Sequence, residues 1–480
     1  MRKKFNQSIA LVFLLLSLHS CVLYPRYQRT IDGLPESWRV ESATTSIIAN
    51  FNWWQQFDDP VLNVLICEAL EYNKDLRIAI ARVYEFYAAY GIAQSALLPE
   101  LTGSGYFQRQ ELSLESLGAN GLTPAQILRT YNTYNVFLNL NYELDFFGRI
   151  RSLTDAALHD YLSQIDARRS VILTLITSLA KAYIQLRQFD MQLQISQETY
   201  QSRLDSYELA VLRFEGGLTS EIEVKQAQSE VDVALTQVKQ LEIQIPQQEN
   251  LISILVGKNP QSITRGRTLD SLALPGTIPA GIPSEILEQR PDIMQAEQQL
   301  LAANARIGEA RAQFFPLLKL TGSYGSISLE LSKLFTDGAA QWNYMLSFLQ
   351  PLFNANRLTY QVDAAEMRKL QALYRYQQTV QNAFREVNDT LIAHKKTIEL
   401  IAVQKHRAQV LKEYLDLAKL QYDNGQTDYL NVLDAERNLF SAELDLAQVQ
   451  SDGLITFINV YGALGGGWVI AADQVKISSP

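Results

Sequence analysis

The chain has 480 residues, 47% of them apolar, and a formal net charge of −9. The acidic balance argues against a nucleic-acid partner, and the ordinary Gly and Pro content excludes large-scale disorder. Two cysteines, Cys21 and Cys67, are too few for an exported domain stapled by disulfides.

Residues 1–20 read as an export signal, with Arg2, Lys3 and Lys4 ahead of the apolar run Ile9–Leu18. Ten apolar residues are too few to cross a bilayer as a helix. The run ends Leu18-His19-Ser20-Cys21, which resembles a bacterial lipoprotein box, although His19 departs from its usual residues. Cys21 is therefore the expected lipidation site and mature N-terminus. Beyond residue 20 no run of 18 apolar residues occurs, so any membrane-spanning segment must be built from strands.

Residues 21–59 read as a lipidated, irregular tether that packs along the body, with an aromatic cluster at Phe51, Trp53, Trp54 and Phe57. Asp58 or Asp59 followed by Pro60 signals a helix start. That helix is expected to reach about Leu98, ahead of Pro99. The period then changes. Leu101–Gln110 and Asn132–Glu143 alternate, with Tyr134, Val136, Leu138, Leu140 and Tyr142 on one face and Asn135, Phe137, Asn139 and Asn141 on the other. Period two with one greasy and one wet side predicts strands about ten residues long, the span of a tilted membrane strand.

Arg149–Phe214 follows without a Pro or Gly. Its seam of Ile172, Ile176, Leu179, Tyr183, Leu186 and onward predicts one helix, about 100 Å long at 1.5 Å per residue. Gly216-Gly217 turns the chain. A returning helix is expected to about Leu255, with a seam of Val224, Ala227, Val231, Ala234, Val238 and Leu241. Residues 258–283 read as a Pro/Gly-containing connector.

The plan then recurs. A helix from Pro291, strands at Leu317–Ser328 and Gln341–Leu349, a long helix Arg357–Tyr422, a turn at Gly425 and a last helix to about Leu464 follow in order. Gly217 and Gly425, Thr219 and Thr427, and Arg149 and Arg357 each lie 208 positions apart. The last seam, Val432, Ala435, Leu439, Ala442, Leu446 and Val449, keeps the same spacing. The expected organisation is a first repeat at 60–257, the connector, a second repeat at 284–468 and a tail at 469–480.

Placing the strands at one end and the Gly turns at the other gives each chain four helical columns and four strands. Four strands cannot close a barrel, and open edges are not tolerated in lipid. Two chains would supply eight strands and a filled interior; three would supply twelve and a lumen. A soluble four-stranded sheet beside a helical bundle is the alternative.

Several stretches resemble one family: Phe51-Asn-Trp-Trp-Gln-Gln-Phe57, Tyr142-Glu-Leu-Asp-Phe-Phe-Gly-Arg-Ile-Arg151, Leu255-Val-Gly-Lys-Asn-Pro260, Arg290-Pro-Asp-Ile293, Ala302–Ser323 and Tyr461-Gly-Ala-Leu-Gly-Gly-Gly-Trp468. The chain is similar along nearly its whole length to TolC-type outer-membrane efflux channels of the lipoprotein branch, the NodT/OprM group. The resemblance implies a mixed, mainly α fold in a homotrimer, with a shared 12-stranded transmembrane β-barrel on a tunnel of coiled helices. It implies an anchor in the outer membrane and a body in the periplasm. It also implies work with a periplasmic adaptor and an inner-membrane pump, passing drugs and toxic small molecules outward without a cofactor.

A conduit has a gate and docking tips rather than a reaction centre. Leu430 and Asp434 lie four apart on one helical face, nearly opposite the Val432–Ala435–Leu439 seam, and so face the lumen. Three copies of Asp434 would form an acidic ring favouring cations and sensitive to pH. The resemblance places Leu430 and Asp434 at the constriction, with Asn431 where some relatives carry another Asp. It also assigns Gly217, Thr219, Gly425 and Thr427 to the tips that meet the adaptor. Arg149 and Arg357 sit where strand becomes helix, either capping carbonyls or at the headgroup level. An enzyme is not expected: His159, His394 and His406 lack metal spacing, and no HExxH, GxSxG or P-loop occurs. Type I protein secretion, or a periplasmic coiled-coil adaptor, remain the competing functions.

Overall fold

A computed structural model describes residues 23–29, 38, 52–111, 130–273 and 286–466. Cys21, Phe51 and Trp468 lie outside the described residues. The helices are α1 (Pro60–Tyr72), α2 (Lys74–Ser95), α3 (Arg149–Glu215), α4 (Glu221–Val256), α5 (Pro291–Ala312), α6 (Arg357–Asp423) and α7 (Tyr429–Ala463), and the strands are β1 (Glu100–Glu111), β2 (Thr130–Glu143), β3 (Leu317–Ser328) and β4 (Ala340–Leu349). Each lies within a residue or two of its expected bounds except the first helix, which is split. α3 and α6 are both 67 residues long and begin 208 positions apart. Among the described residues no helix is long and apolar enough to cross a membrane. The chain divides into two compact units, Met1–Arg29, Tyr84–Ser163 and Glu297–Arg375 in one, Thr30–Val83, Gln164–Ala296 and Tyr376–Pro480 in the other.

The first unit holds one antiparallel sheet in the order β1-β2-β3-β4. Residues paired across an antiparallel ladder share a face, so the register tests the alternation. Leu101, Leu140 and Gly322 line up with Tyr344, and Gly103, Leu138 and Tyr324 with Trp342. The opposite face carries the row Thr102, Asn139, Ser323 and Asn343. One face is therefore apolar and the other amide- and hydroxyl-lined across all four strands. Asn139 Nδ2 donates to Ser104 Oγ at 2.9 Å, and Asn135 Oδ1 accepts from the Tyr106 N–H at 3.1 Å, knitting the polar face together. Phe137 intrudes on that face and needs Gly325 opposite it, where a Cβ would lie 2.7 Å from the Phe137 ring.

The segment 23–29 straps this unit. Tyr24 donates to Asp155 at 2.9 Å, the Pro25 carbonyl accepts from Asn304 at 2.8 Å, and the Leu23 carbonyl accepts from Arg311 at 3.2 Å. Tyr27 and Arg29 both reach Glu297, at 3.0 and 2.8 Å.

In the second unit the expected helix from Pro60 to Leu98 breaks at Asn73, whose ψ is 132°. Its N–H closes α1 on the Ala69 carbonyl, while its Oδ1 accepts from Leu76 N at 2.9 Å and so caps α2. Nδ2 donates to the Leu255 carbonyl at 2.9 Å. A Cβ on Gly257 would lie 2.3 Å from the Tyr72 carbonyl oxygen, so the glycine lets the end of α4 press on the break. No Gly or Pro marks this site, which is why periodicity alone ran through it.

Trp53–Phe57 forms a short 3-10 turn that packs against α7. Trp53 stacks on Tyr461 at 5.7 Å, and Phe57 meets Phe457 edge-on at 5.6 Å. Buried Asp59 then gathers donors from Val61 N (2.8 Å), Tyr183 Oη (2.9 Å) and Arg267 N (3.0 Å). The connector packs as well, burying Ile263, Leu269 and Leu272. Arg290 donates to Asp292, Glu386 and the Ala463 carbonyl, each within 3.0 Å, so Arg290-Pro-Asp292 ties α5 to α6 and α7.

Candidate functional site

Two helical turns in the second unit carry the expected gate and tips. Both close in the same way. Gly217 and Gly425 have φ of 70° and 67°, a region that only glycine enters without a Cβ penalty. The Gly217 N–H meets the Phe214 carbonyl at 2.9 Å and the Leu218 N–H the Arg213 carbonyl at 2.8 Å; Gly425 and Gln426 repeat the pattern on Tyr422 and Gln421, both at 2.9 Å. This double bond satisfies the last carbonyls of α3 and α6. Ser220 and Asp428 occupy the N-cap positions, one residue beyond Thr219 and Thr427, and neither side chain makes a capping bond. Thr427 Oγ1 instead accepts from Asn431 Nδ2.

Behind the turns Ala210, Val224, Ala227, Ala418, Tyr429, Val432, Leu433 and Ala435 form one buried cluster. α7 therefore shows its apolar side inward. Leu430, at 55% exposure, lies with Asn431, Asp434, Asn438 and Ser441 on its exposed side. Asp434 Oδ2 accepts from Asn438 Nδ2 at 3.1 Å. The buried side is wider than the expected seam: Leu433, Phe440 and Ala447 are buried, while Leu439 and Leu446 are half-buried.

A buried ion network, missed in the sequence, joins three helices beside the turns. Glu230 of α4 takes Arg203 of α3 at 3.1 Å and Arg437 of α7 at 2.5 Å. Glu436 pairs with Lys419 at 3.0 Å. Arg203 lies over the Phe440 ring, 5.1 Å from its centroid. Burial lowers the Arg203 pKa, opposed by Glu230 and Glu436, while the bond to Glu230 raises that of Arg437. Burial, with Glu436, pushes the Tyr429 hydroxyl up to about 12. Charges at seam-adjacent positions are the only sequence signal, and they look like a solvated stripe until the partner helix is known.

An amphipathic sheet with two open edges in one unit, and long helices that end in matched glycine turns in the other, point to an outer-membrane conduit with a periplasmic helical body. The chain belongs to the outer membrane efflux protein family, whose model matches residues 65–258 and 282–466. It is 37% identical over 470 residues to the solvent efflux pump outer membrane protein SrpC of Pseudomonas putida, covering 96% of this chain and 98% of that one. It is 33% identical over 458 residues to the cation efflux system protein CusC of Escherichia coli, covering 94% and 97%. The open-state MtrE outer membrane channel of Neisseria gonorrhoeae superposes with a TM-score of 0.85 at 31% identity, over 93% of this chain and 99% of that one. The CmeC channel of Campylobacter jejuni superposes with a TM-score of 0.87 at 26% identity, over 96% of each chain. This chain is thus the outer-membrane channel of an efflux pump, located in the outer membrane and reaching into the periplasm.

Proposed function

We propose that three copies of this chain close a single twelve-stranded barrel over a helical tunnel, as a passive conduit for drugs and other toxic small molecules. One observation carries the reading. Within one chain β1 and β4 each have a single neighbour, while the whole sheet is apolar on one face. Such edges are stable in lipid only when paired with another copy. The two 67-residue helices and their matched turns support an internal two-fold repeat. The names of relatives, which include solvent and cation pumps, support small-molecule cargo.

The gate lies at Leu430, Asn431 and Asp434, where three copies of an exposed stripe converge. Gly217, Thr219, Gly425 and Thr427 form the tips that meet a periplasmic adaptor, itself coupled to an inner-membrane pump. Exposed Leu218 and Ile222, at 81% and 68%, supply apolar surface for that contact. On this reading the chain works as a passive pore rather than as an enzyme. Cys21 is the lipid anchor; Arg311 holds the carbonyl of Leu23, two residues on, close to the start of β3. Native mass spectrometry of the full chain in detergent tests both claims: the expected particle has three chains, each with acyl groups on Cys21. A monomer refutes the shared barrel, and three unacylated chains refute the anchor.

A further inference from the structure

β1 and β4 are the edges of the sheet, and every pairing in it is antiparallel, so the two edges run in opposite directions. A β4 from another copy can therefore join β1 as one more antiparallel strand. The faces limit how it may slide. Within one copy Gly103 is level with Trp342, and both stand on the apolar face. An odd slip from that level would turn Trp342, Tyr344, Leu346 and Phe348 to the polar side, so the next copy's β4 moves in steps of two. Only a slip that carries Phe348 toward Gly103 lays the two strands side by side. Closure limits the choice further. With about 3.3 Å per residue and about 4.8 Å between strands, a slip of four or six residues per copy tilts the strands by about 35° or 45°, whereas two or eight gives about 20° or 55°. Only four and six fit a membrane barrel.

We propose that β1 of one copy pairs with β4 of the next at the six-residue slip, which sets Gly103 opposite Phe348. Either slip covers the whole of β4, so the side chains decide. At six, the polar face joins Ser104 to Ser347, Gln108 to Asn343 and Gln110 to Gln341, hydroxyl to hydroxyl and amide to amide. Tyr106 then faces Met345, a ring against a thioether. The one mismatch, Thr102 opposite Leu349, stands at the end of the ladder. At four, the carboxylate of Glu100 would face Leu349, and Ser104 would face Met345. On the apolar face the six-residue slip brings Arg109 opposite Trp342 instead of Ala340, where its guanidinium can lie over the indole. Past the ladder, Leu352 and Phe353 of the second strand-to-helix junction are 93% and 90% exposed. At six, Phe353 comes level with Leu98 of the next copy, itself 70% exposed; at four, Pro351 does. The proposal rests on the barrel shared by three copies and specifies how its seams are sewn.

Cysteine pairs read the register directly. In full-length Cys67→Ser protein in membranes, Ser104→Cys is combined with Ser347→Cys or with Met345→Cys and oxidised; the Cys67→Ser parent is the blank. Within one chain the two edges lie three strands apart, about 14 Å, beyond the reach of a disulfide, so each bond formed joins two copies. The pair at 104 and 347 is expected to give covalent trimers at about tenfold the yield of the pair at 104 and 345, whose cysteines would be diagonal neighbours. Gln108→Cys should likewise join Asn343→Cys in preference to Gln341→Cys. Preference for the partners at 345 and 341 overturns the six-residue slip. If no pair joins while native mass spectrometry counts three chains, the contact between β1 and β4 is overturned and the trimer stands. A monomer in that measurement removes the shared barrel first, and the register falls with it.

Discussion

Asp434 is exposed on the one side of α7 that its own chain leaves open, where its carboxylate accepts from Asn438 and lies within electrostatic reach of Arg437. Three such carboxylates around an axis would hold cations and narrow the path by their hydration. Asp434→Ala is expected to raise single-channel conductance in planar bilayers and to weaken block by multivalent cations; unchanged conductance removes Asp434 from the gate. Ala355 poses a different question. It has φ of 48° and is followed by Asn356 at 63°, whereas the first junction places Gly148 at 71°. Alanine in the left-handed region is strained, so Ala355→Gly should stabilise the protein by roughly 1 kcal/mol, read as a higher unfolding temperature in detergent. No lipid or partner is needed for that gain.

The helices were legible where residue periodicity speaks and illegible where a single side chain does the work. Absence of Gly and Pro predicted α3 and α6 nearly to the residue, and each glycine turn was visible in advance. Asn73 was not, because its break depends on a carbonyl supplied by α4, nearly two hundred residues away. The Glu230 network was hidden for the same reason: Arg203, Glu230 and Arg437 meet only after three helices pack. Removing the acid leaves the buried Arg203 guanidinium without its carboxylate, while half-exposed Arg437 can turn to water. Glu230→Gln should therefore cost about 3–5 kcal/mol, seen as earlier denaturant unfolding, and a neutral result would mean that water reaches the pair. Gly425→Val is the complementary test at the turn. A Cβ there would meet nothing within 4 Å, so only backbone strain opposes it locally. Export is expected to fail while trimers persist; loss of trimers would make the turn a folding element instead of a docking tip.

At the level of the molecule the sheet has a handed width, ending in β1 on one side and β4 on the other. In the proposed shared barrel, copies join nose to tail, as heterologous contacts do. A pair joined this way would still expose one β1 and one β4, and the proposed ring comes to rest only when it is complete. Half-built rings are consequently adhesive intermediates, ready to capture any stray extended segment. Biogenesis of such a channel is a race in which the right edge must arrive before a wrong one does.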